Sequence, residues 1–260
     1  MIDLHSHILP AIDDGPTHLR GSIALAAAIA KDGTEIVAAT PHFRADHPGV
    51  RPTEVADRCA QLNRDLARSG VRLRVIPGAE VDLHWALDAS DEELRLASYG
   101  QRGVHILLET PYGSLTSTFE ELVFRALSAK GYTVILAHPE RSRTFQRDPA
   151  RLAALVRRGV VLQITAPALL RGDRRSKSGK LARALLKEGM AHVLASDAHS
   201  HTARRGPHLS AAVRAAARIA PARAKWMVTD APAAILAGEA LSAPPRAGSQ
   251  GTRRGWRTRR

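Results

Sequence analysis

MIDLHSHILPAIDDG, residues 1–15, places two histidines one residue apart, His5 and His7, and follows them with the adjacent aspartates Asp13 and Asp14. The run up to His5 is short, apolar and β-branched, so it reads as a strand. In a strand, residues i and i+2 share a face. Both imidazoles therefore leave the strand end on one side, and the IDDG turn can carry Asp14 back toward them. Six further apolar runs, 35–39, 73–76, 105–109, 133–137, 160–164 and 192–195, repeat this theme. Their spacing of about thirty residues is that of β-α units. Alanine-rich amphipathic segments at 22–31, 53–68, 119–129, 149–158 and 180–187 read as the intervening helices. Gly33, Gly70, Gly131, Gly159 and Gly189 stand where a helix C-terminus favours a left-handed residue. The alternation predicts an α/β chain with seven parallel strands, closed as a barrel or open and doubly wound. No glycine-rich phosphate loop follows a strand, which counts against a nucleotide-binding open sheet.

The totals set the outer bounds. The chain has 260 residues and is 44% hydrophobic, enough for a substantial core. A single cysteine, Cys59, excludes an intrachain disulfide and fits a cytoplasmic location. No long apolar run reads as a membrane span, and the N-terminus does not read as a secretory signal. The net charge of +13 raises the question of nucleic acid, yet six arginines and no acid lie in residues 246–260. The domain is expected to span 1–240. Residues 241–260 are expected to form an Arg-rich, solvated and disordered tail. Contact of that tail with nucleic acid or an acidic membrane surface is the alternative.

The chemistry gathers where the strands stop. After the first strand come His5 and His7; TPHF supplies His42, PGAE Glu80, LLETP Glu109, LAHPER His138 and Arg141, and ASDAH Asp197 and His199. LQITA alone ends without an ionisable group. In a barrel, the C-terminal strand ends converge on the face that carries the chemistry. A lone histidine there is usually a hydrogen-bonded structural residue, but six strands delivering His, Asp or Glu to one end need a balancing charge. Divalent cations provide it. A set of imidazoles and carboxylates without thiolate suits Mn²⁺, Fe²⁺ or Zn²⁺. His5, His7, Asp14, His42, Glu80, Glu109, His138, Asp197 and His199 exceed the needs of one ion, so two or three clustered ions are expected. Such a cluster activates water and clamps phosphoryl oxygens. Arg141 and one of Arg204 or Arg205 are expected to bind phosphate. His18, His47, His84, His105, His192, His201 and His208 are expected to be structural or solvated. Cys59 is not followed by the arginine of a C-x₅-R phosphatase loop, so it reads as a small core residue.

Taken together, HSHILPAIDDG, ATPHF, PGAE, LLETP, AHPER, LQITA and SDAH resemble the PHP (polymerase and histidinol phosphatase) superfamily from Met1 to about Leu236. Within it, the chain is most similar to the manganese-dependent protein-tyrosine phosphatases of capsule and exopolysaccharide loci, the CpsB/YwqE type. The resemblance implies a distorted seven-stranded (β/α)₇ barrel, with the metal site at its C-terminal strand ends and three divalent ions, Mn²⁺ foremost. By resemblance, His5, His7, Glu80 and Asp197 hold one ion. Glu80, Glu109 and His138 hold the second. Asp14, His42 and His199 hold the third. Arg141 matches the family's phosphate-binding arginine and Arg205 is the better match for the second. Asp197 or His199 would assist the leaving group. The implied substrate is the phosphotyrosine of a bacterial tyrosine kinase. A small phosphomonoester such as histidinol phosphate or a nucleotide is the alternative, C–N bond hydrolysis a remoter one, and a basic nucleic-acid-binding protein a rival from another class. Two departures stand out. Thr165 replaces the asparagine usual after strand six, and the Arg-rich tail has no counterpart in the family.

Overall fold

The computed structural model describes residues 1–170, 175–202, 205–243 and 245. Its strands are β1 (Ile2–Ser6), β2 (Ile36–Ala39), β3 (His42–Phe43), β4 (Arg74–Pro77), β5 (Glu80–Val81), β6 (His105–Glu109), β7 (Thr133–Ala137), β8 (Val161–Thr165) and β9 (Val193–Ala195). Its helices are α1 (Leu19–Lys31), α2 (Val55–Arg68), α3 (Leu83–Asp88), α4 (Asp91–Ala97), α5 (Phe119–Ala126), α6 (Arg143–Arg147), α7 (Ala150–Arg157), α8 (Ala166–Leu169), α9 (Lys177–Lys187), α10 (Leu209–Ala217), α11 (Pro221–Trp226) and α12 (Asp230–Ala237). All strand pairs are parallel. They form one sheet in the order β1-β2-β4 and a second in the order β3-β5-β6-β7-β8-β9.

The seven expected strands thus become nine, because the second and third are each interrupted. Pro41, between β2 and β3, has no N–H to give a ladder. Gly78 and Ala79 separate β4 from β5. Each break hands the chain from the small sheet to the large one. At the other side, β1 meets the segment after β9. His7 N donates to Ala198 O at 2.9 Å, and Asp197 N donates to His5 O at 2.9 Å.

The helices follow the sequence pattern where it is periodic. Val55, Cys59, Leu62 and Leu66 of α2 lie buried on one face at helical spacing. Truncating Leu62 to alanine would cost roughly 2–5 kcal/mol. The five glycines expected at helix ends all adopt positive φ, between 71° and 92°. Between β5 and β6, where no helix is read from the pattern, α3 and α4 form on capping chemistry. The Asp82 carboxylate accepts from His84 N, and Ser90 and Glu93 make a capping box.

Two buried layers result. The larger lies between the strands and the surrounding helices. The smaller draws Leu4, Ala38, Leu107, Ile135, Val161 and Val193 from different strands and is closed by Tyr99 and by Ile235 of α12. Tyr99 donates its hydroxyl proton to Leu4 O at 2.8 Å. Leu241 packs, partly buried, against both layers, and the Trp226 indole donates to Ser242 Oγ at 3.1 Å. The Arg-rich stretch 246–260 lies outside the described residues. No helix among the described residues is long and apolar enough to cross a membrane.

Candidate metal centre

β1 does more than end in two histidines. Its pairing with β2 shifts register between Asp3 and Ser6. Leu4 belongs to the inner apolar cluster, yet the next side chain, His5, also points inward and meets Gln163 of β8. Strict alternation forbids two consecutive inward residues, and a bulge is the device that permits them. After it, His5 and His7 share the inner side.

The tautomers of these rings follow from their partners. Gln163 Oε1 can only accept, so His5 Nδ1 donates to it at 2.9 Å. His7 Nδ1 donates to Asp13 Oδ2 at 2.7 Å, and His199 Nδ1 donates to Asp197 O at 2.9 Å. Each ring thereby directs its Nε2 into the pocket; burial disfavours a proton on His5 and His7, but Glu80 and Asp197 at the one and Asp13 at the other outweigh it, so a bound cation would take the place of that proton. Asp13 also accepts from His42 N at 3.2 Å and from Gly15 N at 3.0 Å. A Cβ on Gly15 would stand 2.1 Å from His7 O, so only glycine lets this turn fold back on β1.

Two further residues are aimed by unusual backbone. His138 and Asp197 have φ of 35° and 55°, a left-handed region uncommon for non-glycine residues. Both sit directly beyond a strand end, where the turn swings the side chain over the mouth.

The result is an assembly of all nine expected ligands, eight of them buried and Asp14 exposed at the mouth. Among the described residues, four overlapping sets bring donor atoms within 4.8 Å of one another. They are His7, Asp14, His42 and His199; His5, Glu80 and His138; His5, His7 and Asp197; and His42, Glu80 and Glu109. The sets cut across the division implied by the resemblance, because His5, His7 and His42 each stand in contact with more than one group. Glu80 Oε2 lies 3.3 Å from His5 Nε2, 3.6 Å from His7 Nε2 and 3.1 Å from His42 Nδ1. Its other oxygen is 2.8 Å from His138 Nε2.

The chemistry of the set fits divalent cations. His42 Nδ1 and His199 Nε2 are buried without a hydrogen-bond partner, although carboxylate oxygens lie within about 3.1 Å of both. A lone pair facing a carboxylate is repulsive, and a cation between them removes the conflict. The carboxylates are also pulled apart in acidity. Burial raises the Glu80 carboxyl, but His5 and His138 outweigh it and hold it well below the usual range. Burial and the charge of Glu80 push Glu109 up to about 7. Burial likewise acts on Asp197 and Asp14, but the imidazoles beside each outweigh it, helped by Arg141 at Asp197 and Arg205 at Asp14, and both stay ionised.

The assembly floors an open cavity of about 310 Å³. Arg141 Nη1 lies 2.6 Å from Asp197 Oδ2, while its guanidinium also donates to the Tyr112 hydroxyl at 3.3 Å and to Thr165 Oγ1 at 3.5 Å. Arg205 donates to Asp14 Oδ2 at 3.0 Å through both Nη atoms. Arg204 lies outside the described residues. Sequence reasoning missed four wall residues, Arg44, Asp46, His47 and Tyr112. Arg44 donates to both oxygens of Glu109, at 3.1 and 3.0 Å. His47, expected to be structural or solvated, stacks on His42 with ring centres 5.3 Å apart. Tyr112 stacks on His138 at 5.5 Å. The strand without an ionisable end supplies Gln163 and Thr165, and Thr165 Oγ1 donates to buried Glu140 at 2.7 Å. Cys59 lies away in the core, its thiol pushed up to about 12 by burial, unfit as a nucleophile.

The family model for capsular polysaccharide synthesis, CpsB/CapC, matches residues 1–237. The chain belongs to the CpsB/CapC family. It is 34% identical over 200 residues to the tyrosine-protein phosphatase YwqE of Bacillus subtilis, covering 77% of this chain and 78% of that protein. It is 26% identical over 246 residues to the tyrosine-protein phosphatase CpsB of Streptococcus pneumoniae, covering 91% of this chain and 98% of that one. Crystal structures of YwqE and CpsB describe them as metal-dependent tyrosine phosphatases. One of these superposes with a TM-score of 0.81 at 30% identity, covering 96% of this chain and all of that chain. As a CpsB/CapC member, the chain carries its donor atoms on a scaffold shared with those enzymes. Thr165 is tied to Glu140 and Arg141.

Proposed function

We propose that this chain is a metal-dependent phosphatase that hydrolyses phosphotyrosine in a protein, its substrate being a bacterial tyrosine kinase of capsule or exopolysaccharide synthesis. The observation that carries the reading is the convergence of nine imidazole and carboxylate groups, all but Asp14 buried, beside Arg141, in a CpsB/CapC chain. We assign three divalent cations to the site, Mn²⁺ foremost, with Fe²⁺ or Zn²⁺ as substitutes. His5, His7, Glu80 and Asp197 would hold the first; Glu80, Glu109 and His138 the second; Asp14, His42 and His199 the third. We read the two sheets as one distorted seven-unit barrel, supported by the hydrogen bonds that join β1 to the segment after β9. A cytoplasmic location belongs to the same proposal.

When bound, the cations supply Lewis-acid charge and an activated water. The protein's own groups do the rest. Asp13, Gln163 and the Asp197 carbonyl hold three imidazoles in the tautomer that presents Nε2. Arg141 and Arg205, stationed at the rim by Asp197 and Asp14, turn onto the phosphoryl oxygens and meet the charge that develops there. Asp197 is held ionised and is not a proton donor. The phenolate of tyrosine is a good leaving group and needs little protonic help; with its Nδ1 proton on Asp197 O and its Nε2 turned to a cation, His199 acts as a ligand and not as an acid. The half-exposed Tyr112 ring offers a flat face to the substrate's phenyl group.

The deciding experiment follows phosphate release by metal-stripped protein with and without Mn²⁺. A phosphotyrosine peptide is compared with histidinol phosphate at equal concentration. Mn²⁺-dependent release favouring the peptide is expected. A clear preference for the small phosphomonoester would keep the site and replace the substrate.

A further inference from the structure

The turn that carries Arg141 lies beside two helices bearing exposed cations that the proposed chemistry does not use. The chain leaves Arg141 and enters α6, which exposes Arg143 and Arg147 four residues apart. Across from it, Arg175, Lys177 and Lys180 are exposed at the start of α9. Gln146 fastens these pieces together. Its Nε2 donates to Glu140 O, in the turn that carries Arg141, at 2.8 Å, and to Ser178 Oγ of α9 at 3.2 Å. The Gln146 bonds thus hold α6 and the start of α9, the elements that carry these cations, beside the turn of Arg141.

Stability does not account for them. Like charges four apart on a helix repel. Lysines in the first turn oppose the positive end of the helix dipole, and α9 has no acid there. The contrast within the same molecule is α4, whose first turn holds Asp91, Glu92 and Glu93. Within the described residues none of the five cations enters an ion pair, so their charges are not committed to an internal carboxylate. Asp148, next to Arg147, is engaged in accepting from Ala150 N at 3.2 Å.

We infer that Arg143, Arg147, Arg175, Lys177 and Lys180 bind an acidic stretch of the substrate that flanks its phosphotyrosine. The inference rests on the phosphotyrosine reading and narrows it to a substrate class, tyrosines set among Asp, Glu or further phosphates. An acidic polypeptide is favoured over nucleic acid or a lipid surface because Gln146 ties the elements that carry these cations to the Arg141 turn. A chain seated by its phosphate at Arg141 has a flank within reach of them. Several exposed cations act together on affinity and encounter rate, and salt screens them.

The test uses the Mn²⁺-loaded enzyme, three substrates and one variant. The substrates are a phosphotyrosine peptide with acidic flanks, the same peptide with Gln and Asn flanks, and p-nitrophenyl phosphate. The variant combines Arg143→Ser, Arg147→Ser, Lys177→Ser and Lys180→Ser. Expected is a preference of roughly tenfold in kcat/KM for the acidic peptide, falling with salt. The variant should lose this preference while keeping p-nitrophenyl phosphate turnover. Anisotropy of the labelled acidic peptide should show the same loss in binding. Equal kcat/KM on both peptides, or a preference that survives in the variant, would overturn the inference. So would binding of duplex DNA or phosphatidylglycerol vesicles through these side chains, tighter than that of the acidic peptide. Failure of the phosphotyrosine reading itself looks different, because neither peptide would then be turned over.

Discussion

The Nε2 atoms of His5 and His7 face each other at 3.3 Å, each ring having already given its Nδ1 proton to an acceptor. With oxygens of Glu80 and Asp197 within 3.6 Å of both atoms, positive charge is favoured there, and a cation would supply it. Loading with Mn²⁺ is therefore expected to raise Tm, and chelation to lower it. Gln163→Leu removes the acceptor that sets the His5 tautomer and should weaken Mn²⁺ binding roughly 10–100-fold. Titration calorimetry reads this directly; an affinity unchanged in the variant would show that Gln163 does not orient the ring.

Arg141 is held in position by Asp197, Tyr112 and Thr165. Burial opposes its charge, but the Asp197 carboxylate outweighs it and keeps the guanidinium protonated. Arg141→Lys keeps a cation but loses the planar fork, and should lower kcat/KM by roughly 10²-fold with metal content unchanged. Elemental analysis beside the kinetics separates this from loss of an ion. Wild-type kinetics in the lysine variant would remove Arg141 from phosphate binding.

Tyr112 is 51% exposed, one of two large hydrophobic side chains so exposed among the described residues. If its ring carries the substrate's phenyl group, Tyr112→Ala should raise KM for a phosphotyrosine peptide by roughly five- to tenfold. Tyr112→Phe should stay near wild type. A phosphoserine peptide lacks the ring, so its slower turnover should be indifferent to both changes. Equal effects on both peptides would make Tyr112 a structural residue.

His192 lies away from the metal centre, and its Nδ1 accepts from Leu162 N at 3.1 Å. Burial, and then the nearby Arg223 guanidinium, lower its pKa to about 4. Between that value and the unfolded value near 6.5, the unfolded chain binds more protons, so stability rises with pH through this window. As pH falls from about 6.5 toward 4, His192 should cost stability on the order of 2 kcal/mol. His192→Asn should flatten that part of the profile in denaturant unfolding at a series of pH values. An unchanged slope would assign the acid sensitivity to other groups.

The apolar runs and the glycines that close the helices made the α/β alternation legible, because both are local. Strand pleat and left-handed φ need no partner to be recognised. Eight of the nine candidate ligands could be named for the same reason, since each stands at or just beyond the end of such a run, while Asp14 stands in the turn that follows the first. The two extra strands were not legible. Pro41 and Gly78 are visible as breakers, but the exchange of sheets they allow depends on where neighbouring strands lie. Helices α3 and α4 went unread because capping by Asp82 and Ser90, rather than a long periodic face, sets them.

The sequence by itself determined which residue types are available at the strand ends, and those types alone exclude a cysteine nucleophile and point to hard divalent cations. Only the tertiary structure decided how they meet. The register shift in β1 turns His5 inward behind Leu4, and left-handed turns swing His138 and Asp197 across the mouth. Asp13 and Gln163, 150 residues apart in the chain, select the tautomers of adjacent rings. Imidazole orientation is set by hydrogen bonds between distant segments, and no local pattern of residues contains that information.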